Sequence, residues 1–437
     1  MLTLRRLTCV AILAAVEVAA VGPAGLAGPP ADLAGVLVRE TAVLIRDHAL
    51  SPPPEHAVLA QALAAASRSL PAGPSRTQPP GLSGDPERDL DAVAAYVQAV
   101  VTLAPRDAER ILAAVLRAMV RTADDAQGAV FPPSEFALYM RDLRGETSGV
   151  GVQVERVGGE ITVLDVTPGG PADRAGIRPG DVLMAVDDRP TASETADQTA
   201  ARLRGPAGSS VVVTVRTGPA EPRVVALRRE VVREAPVRWR MVDSRIGYLR
   251  LLEFTEGAGV DTDRALLRLL AAGANGVIVD LRDNSGGWLD EAVAVASLFL
   301  ADGIVAMEHS RDALTPLPVT PGARRFAGPV VVLVNLFSAS AAEIVAGALQ
   351  DEGVPLVGSR TFGKSTVQTI FPLRDGWGVR LTTARYYTRR GRSIDREGLT
   401  PDVPVPMGDA PIGSPRDLPA ERALVVLRAI LAGRRGP

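Results

Sequence analysis

The sequence predicts a multidomain α/β protein with a helical N-terminal region, an inserted β-rich module and a core in which helices flank a mostly parallel sheet. Three patterns along the 437 residues support this fold class. Alanine-rich helical stretches come first, runs that alternate like strands follow Gly149, and strands alternate with helices after Arg245. Because alternation of strands with helices is typical of a parallel sheet, the last region is the predicted α/β core.

Changes in composition set the predicted domain boundaries. We assign residues 1–27 to a signal peptide, 28–90 to a helical extension with a linker, 91–145 to the helical start of the core, 146–232 to the β-rich module and 233–437 to the α/β core. The linker is a stretch rich in Pro, Gly and Ser. The N-terminal helices carry no chemical signature, so we expect them to pack internally or to support a homo-oligomer.

The first residues are typical of an export signal. Arg5 and Arg6 precede an apolar run over 7–21, and small residues follow that run. Residues 18–20 and 25–27 both match a cleavage site, and we favour cleavage after Ala27 over cleavage after Ala20. An uncleaved membrane anchor is a further alternative, because Glu17 is unusual inside such an apolar segment. The sequence therefore predicts an exported protein, in the bacterial periplasm or attached to a membrane and facing the periplasm.

Composition and charge argue against several classes of function. The chain has 48 Lys and Arg against 50 Asp and Glu, a formal charge of −2, so we expect no nucleic-acid partner. The only cysteine, Cys9, falls inside the predicted signal, which excludes a disulfide framework and a cysteine nucleophile from the mature protein. The sequence contains no metal-ligand spacing, so we expect no metal ion and no cofactor.

Two predicted strands of the core end in polar turns. The apolar strand of "GVIVDLRDNSGG" ends in the turn 280–287, and the strand of "GPVVVLVN" ends in the turn 335–340. Functional residues of a parallel sheet gather at the carboxyl ends of its strands, so we expect these turns to lie together. We interpret the apolar stretch 330–349 as a buried strand and helix, because Asn335 and Glu343 would be unfavourable inside a bilayer.

Ser340 and Lys364 form a candidate nucleophile–base pair. Taken alone, Ser340 predicts a helix N-cap, and Glu343 three residues later completes a capping box. An exposed lysine is protonated at neutral pH, but burial lowers the pKa of its amine and leaves a usable base. Ser–Lys pairs are a known variant of this arrangement. Gln368, four residues after Lys364, would share its face of a strand and could hold the amine in place.

The three histidines leave few alternatives for the base. His48 and His56 flank a proline-rich break between N-terminal helices, away from the core. His309, which we place in a polar loop, is the only candidate for a serine–histidine site. Lys364 is therefore the most economical base for Ser340.

Several long motifs resemble one known family. "GPADRAGIRPGDVLMAVD" resembles a PDZ domain of the bacterial protease type, a module that adds a ligand strand to its sheet and captures the terminal carboxylate. "VDLRDNSGG", "SASAAEIVAGALQD", "VGSRTFGKSTVQ" and "GRSIDREGLTPDV" resemble carboxyl-terminal processing peptidases, the tail-specific serine proteases. The resemblance covers about residues 94–405, and the order of helical segment, PDZ domain and protease core also matches.

The resemblance implies a role for each candidate residue. Ser340 matches the nucleophile, Lys364 the general base and Gln368 the residue that orients the lysine. The implied oxyanion hole combines the backbone N–H of Ala341 with one from the turn of Gly286 and Gly287. The glycine-rich loop of the PDZ module would bind the carboxylate of a substrate's C-terminus with these residues: Gly149, Val150, Gly151 and Val152.

The implied substrates are proteins or peptides with apolar C-termini, and a regulatory partner that repositions the PDZ domain is a further expectation. Departures from the family pattern are Ala342 for a second serine, Ser365 for a commoner glycine, Ser285 for proline, and a spacing between Glu343 and Lys364 that is about one residue shorter. None of them removes a proposed catalytic group. The alternative is a catalytically silent binding or regulatory homologue with the same fold.

Overall fold

A computed structural model describes most of the chain, namely residues 15–18, 32–70, 78–123, 126–408, 410, 412–414 and 416–433. The chain divides into two compact units. The larger unit comprises Met1–Tyr139, Arg238–Phe254 and Thr262–Pro437, and the smaller unit comprises Met140–Val237 and Thr255–Asp261.

The N-terminal part of the larger unit is mainly helical. Its elements are β1 (Ala15–Val18), α1 (Leu33–His48), α2 (Glu55–Arg68), α3 (Pro86–Leu103), α4 (Ala108–Val120), β2 (Ala129–Phe131) and α5 (Pro133–Leu143), which runs into the smaller unit. At the start of α3 the Asp85 side chain accepts the Arg88 N–H, and Pro86 occupies the first turn. Apolar residues at helical spacing bury one face of α3 and α4 in a shared cluster. Pro105 opens a short 3₁₀ turn that separates α3 from α4.

The predicted signal peptide lies outside the described residues except for β1. None of the helices within the described ranges is long and apolar enough to cross a membrane.

The smaller unit is β-rich, as predicted. Its elements are β3 (Glu146–Gly149), β4 (Val152–Val157), β5 (Glu160–Val166), α6 (Pro171–Arg174), β6 (Val182–Val186), β7 (Arg189–Pro190), α7 (Ala196–Leu203), β8 (Ser210–Arg216), β9 (Arg223–Arg228) and β10 (Glu230–Arg233). One antiparallel sheet has the strand order β4-β5-β6-β8-β9, with β7 on β6, and β3 pairs with β10. Thr195 and Gln198 form a capping box that begins α7. Buried residues such as Val163 and Val213 form the hydrophobic core of this unit.

The rest of the larger unit contains two sheets. Its elements are β11 (Val237–Met241), β12 (Ile246–Leu251), α8 (Ala258–Ala271, which begins in the smaller unit), β13 (Gly276–Asp280), β14 (Gly287–Trp288), α9 (Leu289–Ser297), β15 (Ile304–Ser310), β16 (Leu314–Pro318), β17 (Val330–Val334), α10 (Ala341–Asp351), β18 (Leu356–Gly358), β19 (Thr366–Pro372), β20 (Gly378–Thr388), β21 (Val403–Pro404) and α11 (Leu418–Leu431).

The first sheet has the order β11-β12-β13-β17-β18-β21, and its strands from β12 to β21 are parallel. β13 and β17 are buried at every residue, as expected for a parallel sheet covered on both faces. The predicted parallel sheet is therefore confirmed.

The second sheet has the order β14-β1-β19-β20-β15-β16, with β2 on β20, and its longest strand pairs are antiparallel. The sequence pattern did not predict this second sheet. A short turn joins β19 to β20, and such a hairpin is easily read as two separate strands of a parallel sheet.

Candidate active site

The two predicted polar turns meet at the carboxyl ends of β13 and β17. The Ala339 N–H donates to the Asn284 carbonyl at 2.9 Å, and the Ser338 hydroxyl donates to the Leu281 carbonyl at 2.8 Å. The Asn335 side chain accepts the Asp283 N–H at 3.0 Å. Because β13 and β17 are adjacent and parallel, these contacts follow from the topology.

A buried ion cluster anchors the first turn. The Arg282 guanidinium is fully buried and contacts the carboxylates of Asp280 at 2.6 Å and Asp417 at 2.7 Å. The Tyr248 hydroxyl donates to Asp280 at 2.5 Å. Burial alone would lower the pKa of Arg282, but hydrogen bonds and charge from Asp417 and Asp280 outweigh it and raise that pKa above its ordinary value. Arg282 therefore stays charged and fixes the base of the turn.

Ser340 has a strained backbone between β17 and α10. Its φ is 56° and its ψ is −116°, a region that residues with a Cβ rarely adopt. An N-cap residue normally has an extended backbone and uses its side-chain oxygen, whereas the fully buried Ser340 Oγ has no hydrogen-bond partner among the described residues. Ser340 is therefore the N-cap residue of α10, and its N–H donates to Glu343 Oε2 as a capping box predicts, but its hydroxyl does not make the cap hydrogen bond. Strand-to-helix turns of this kind present nucleophilic serines in other hydrolases.

The Glu343 carboxylate joins the turn of Ser340 to the loop of Lys364. Oε2 accepts the backbone N–H groups of Ser340 and Lys364, each at 2.9 Å. Oε1 accepts the Gly363 N–H at 2.8 Å and the Thr361 hydroxyl at 2.5 Å. Burial raises the pKa of Glu343, and these donors offset part of the increase. The sequence predicts Glu343 only as a capping partner, because the residues of the lysine loop that it contacts lie 18 to 21 positions away.

Lys364 is the only lysine of the chain. The sequence contains 48 Lys and Arg, and 47 of them are arginines. Lys364 is 6% exposed, and its Nζ donates to Gln127 Oε1 at 3.3 Å. A guanidinium stays protonated in proteins, whereas an amine can lose its proton, so this position differs chemically from every other basic residue.

The Gln368 amide makes no hydrogen bond to the lysine amine. Gln368 Nε2 donates to the Thr382 hydroxyl at 2.9 Å, and the buried Gln368 Oε1 has no partner among the described residues. Lys364 lies before the start of β19, so the strand periodicity that suggested a shared face does not reach it. The amine contacts Gln127 instead, from a segment 237 residues away in sequence that no local pattern marks.

The two glycines of the first turn, Gly286 and Gly287, make different contacts. The Gly286 N–H donates to the Asn284 side chain at 3.0 Å, and the Gly286 carbonyl accepts the Phe254 N–H at 2.9 Å. At Gly287 a Cβ would lie 2.3 Å from the Phe254 carbonyl oxygen, so only glycine fits. Ala341 is the first residue of α10, and its N–H therefore has no partner within the helix.

Strand β1 lies between the glycine turn and the strand of Gln368. Ala15 pairs with Gly287 on one side and with Val367 on the other, and both pairings are parallel. The backbone of an extended segment therefore fits into the second sheet directly beside Gly287.

A cleft of about 340 Å³ opens on the side of Lys364. Gln127, Thr382 and Phe362 are among the residues that line it. Three large apolar side chains near the two loops are exposed: Leu336 at 56%, Phe337 at 54% and Phe362 at 42%. The Phe362 N–H donates to the Ser338 carbonyl at 3.1 Å, which ties this loop to the serine turn.

His48 and His309 each lie against an aromatic ring. His48 lies against Phe371, with 5.0 Å between ring centroids. His309 is on strand β15, not in a loop as predicted, with its ring 6.2 Å from that of Tyr387. The residues that the structure describes contain no cluster of His, Cys, Asp and Glu that could hold a metal ion.

The predicted carboxylate-binding loop of the smaller unit connects β3 to β4. Gly149 ends β3 opposite Glu230, and Val152 begins β4. The carbonyl of the buried Val150 accepts the Ala172 N–H at 3.0 Å. Gly151 has a φ of 74° and lies close to Thr167, so the loop depends on glycine at this position.

Known proteins resemble most of this chain. Residues 245–405 match Peptidase family S41, and residues 162–217 match a PDZ domain. The chain is 36% identical over 308 residues to carboxyl-terminal-processing peptidase 2, chloroplastic, of Arabidopsis thaliana, covering 67% of this chain and 60% of that protein. It is 36% identical over 320 residues to a carboxyl-terminal-processing protease of Picosynechococcus sp., covering 71% of this chain and 77% of that protein.

A solved structure of a lipoprotein from Streptococcus agalactiae matches with a TM-score of 0.50 at 12% identity, over 93% of this chain and 98% of that chain. This likeness shows the fold alone. The sequence matches carry the assignment further, because they join the peptidase core and the PDZ domain in one chain. The protein belongs to peptidase family S41, among the carboxyl-terminal-processing peptidases.

Proposed function

We propose that the chain is a serine endopeptidase in which Ser340 is the nucleophile and Lys364 the general base. One observation carries this proposal. The only lysine among 48 basic side chains is buried, and its backbone N–H binds the same carboxylate oxygen of Glu343 as the N–H of Ser340. A lysine with only a structural role would not be expected to be buried beside this serine. The strained backbone of Ser340 supports the proposal independently.

The chemistry follows from these groups. The Ser340 oxygen attacks the peptide carbonyl while the neutral Lys364 amine takes its proton. The lysine then returns the proton to the leaving amine, and water hydrolyses the acyl-enzyme ester with the same base. The Ala341 N–H and the Gly287 N–H would stabilise the oxyanion, since the Gly286 N–H is engaged by Asn284.

The described arrangement corresponds, in this proposal, to a resting state. Ser340 Oγ and Gln368 Oε1 are both buried and have no hydrogen-bond partner within the described part of the chain. A neutral lysine amine can donate to Gln368 Oε1 and accept the hydrogen of the Ser340 hydroxyl, so we propose that Nζ moves from Gln127 to Gln368 and Ser340 in the active state. A regulatory partner that acts through the PDZ domain would drive this change.

Strand β1 supports a path for the substrate. A protease holds its substrate extended, with the scissile carbonyl at the oxyanion donors. The backbone of β1 already fills an extended position beside Gly287 in the second sheet. We propose that the substrate backbone adds to β19 at the same place when β1 is absent from it.

Recognition of the substrate is assigned to the PDZ domain. The loop from Gly149 to Val152 would bind the terminal carboxylate of an exported protein, and a neighbouring pocket its apolar last residue. The names of the relatives agree with processing at a C-terminus. We further propose the domain boundaries given above, an exported location, and a homo-oligomer formed through the N-terminal helices.

The test compares the full chain with its Ser340→Ala variant. An unfolded test protein with an apolar C-terminus is incubated with each, and fragments are identified by mass spectrometry. Cleavage by the wild-type chain alone supports the proposal. Equal cleavage by a folded Ser340→Ala variant would remove the nucleophile assignment.

A further inference from the structure

Tyr386 contacts the backbone of both proposed catalytic residues. Its hydroxyl oxygen lies 2.8 Å from the Lys364 carbonyl oxygen and 3.1 Å from the Ser340 carbonyl oxygen. The residue belongs to β20 and is 1% exposed, and its own N–H donates to the Ser365 carbonyl at 2.8 Å. No sequence pattern marked this tyrosine, because its two partners lie 22 and 46 residues away.

The hydroxyl acts as a donor. Burial raises the pKa of Tyr386 well above its ordinary value, and the nearby negative charge of Glu343 raises it further. The hydroxyl therefore keeps its proton at neutral pH. It has one hydrogen for two carbonyl acceptors, so it shares that hydrogen between them, with the shorter contact to Lys364.

Tyr386 and Glu343 hold the same two residues from different sides. The N–H groups of Ser340 and Lys364 converge on one oxygen of Glu343, and their carbonyl groups converge on the Tyr386 hydroxyl. No hydrogen bond joins the Ser340 side chain to another described residue. The separation of the two catalytic residues is therefore set through their backbones.

The hydroxyl is not needed to begin α10. The Ser340 carbonyl also accepts the N–H groups of Glu343 at 2.8 Å and Ile344 at 3.0 Å. The start of the helix remains hydrogen-bonded when the tyrosine hydroxyl is removed, so loss of the hydroxyl should leave the fold in place.

We propose that Tyr386 is a positioning residue: by donating to the carbonyl groups of Ser340 and Lys364 it fixes the separation of their backbones, and so the distance that the Lys364 amine must span to reach the Ser340 oxygen. This inference rests on the proposed function. Tyr386, on β20 of the second sheet, would thus be a third part of the site, beside the serine turn and the lysine loop.

The test uses the full-length chain with Tyr386→Phe, which removes only the hydroxyl. We expect kcat to fall by about 10- to 100-fold, because a small misplacement of reacting groups has effects of this size. We expect KM to stay within about twofold, since the hydroxyl that is removed binds carbonyl groups of the protein itself. The pH profile of kcat/KM should shift, because the surroundings of the base change.

A fluorophosphonate provides a second readout. The Ser340 oxygen displaces fluoride from phosphorus while Lys364 takes the serine proton, so the labelling rate should fall by the same factor as kcat. Tyr387→Phe is the matched control, since Tyr387 is the next residue of β20 and its ring lies near His309 instead. Its kcat should stay within about twofold of wild type.

A Tyr386→Phe chain with wild-type kcat and labelling rate would overturn the proposal. So would a loss fully explained by a smaller folded fraction. If the phenylalanine chain does not fold, 4-aminophenylalanine at position 386 decides, because its amine still donates to both carbonyl groups. A folded aminophenylalanine chain should keep kcat within about threefold, and a loss above tenfold would contradict the donor role. Cleavage by Ser340→Ala would instead refute the proposed function itself.

Discussion

Replacing Ser340 by glycine should make the protein more stable than replacing it by alanine. Ser340 has a φ of 56° and a ψ of −116°, which glycine adopts without strain. Such strain costs about 1–3 kcal/mol, and the greater freedom of glycine in the unfolded chain costs about 0.4–1 kcal/mol. The difference leaves Ser340→Gly more stable than Ser340→Ala by about 1 kcal/mol. Ser340→Ala should be at least as stable as wild type, because it removes a buried hydroxyl that has no hydrogen-bond partner in the described chain.

Urea unfolding followed by tryptophan fluorescence measures this difference. The three tryptophans are Trp239, Trp288 and Trp377, and all lie in the unit that contains Ser340. With a common slope, the shift in midpoint gives the difference in free energy of unfolding.

Ser297 is the matched control, since it is a buried serine at the end of α9. Glycine at position 297 should be less stable than alanine by about 0.5–1 kcal/mol, the ordinary order in a helix. If glycine were also the less stable replacement at position 340, the backbone of Ser340 would not be strained and the argument for a nucleophile turn would fail.

Three further predictions follow from the site. Lys364→Arg should be as inactive as Lys364→Ala in a cleavage assay, because a guanidinium cannot accept the serine proton; full activity would remove the base assignment. Burial raises the pKa of Glu343 above the unfolded value of about 4.3, so its contribution to stability is present below that pH and is lost as the pH rises through the raised pKa. The gap in stability between wild type and Glu343→Gln should therefore narrow over this range in urea titrations, and a constant gap would contradict the shift. Amidation of a substrate's C-terminus should weaken its binding to the full Ser340→Ala chain, measured by calorimetry, and equal affinities would reject carboxylate capture by the PDZ loop.

The sequence predicted those parts of the site that depend on local pattern and parallel topology. The turns that begin at Asp280 and Asn335 follow apolar runs, and the parallel-sheet rule correctly predicted that they lie together. The contacts of Gln127 and Tyr386 with Lys364 could not be predicted from the sequence. They depend on the second, antiparallel sheet and join residues that are far apart in the chain. The strained backbone conformation of Ser340 could not be predicted for a different reason. A serine followed three residues later by glutamate is typical of a capping box, and only dihedral angles separate that motif from a strained turn.

The single lysine of this chain allows selective chemical labelling of one amine side chain. Because the chain has a single lysine, the ε-amine of Lys364 and the terminal α-amine are the only primary amines available to acylating or reductively methylating reagents. Methylation with ¹³C-formaldehyde would therefore give one side-chain signal in an NMR spectrum, and its titration would report the protonation of the proposed base directly. An amine-directed inhibitor would likewise have one side-chain target in the sequence, which lines the cleft together with Gln127.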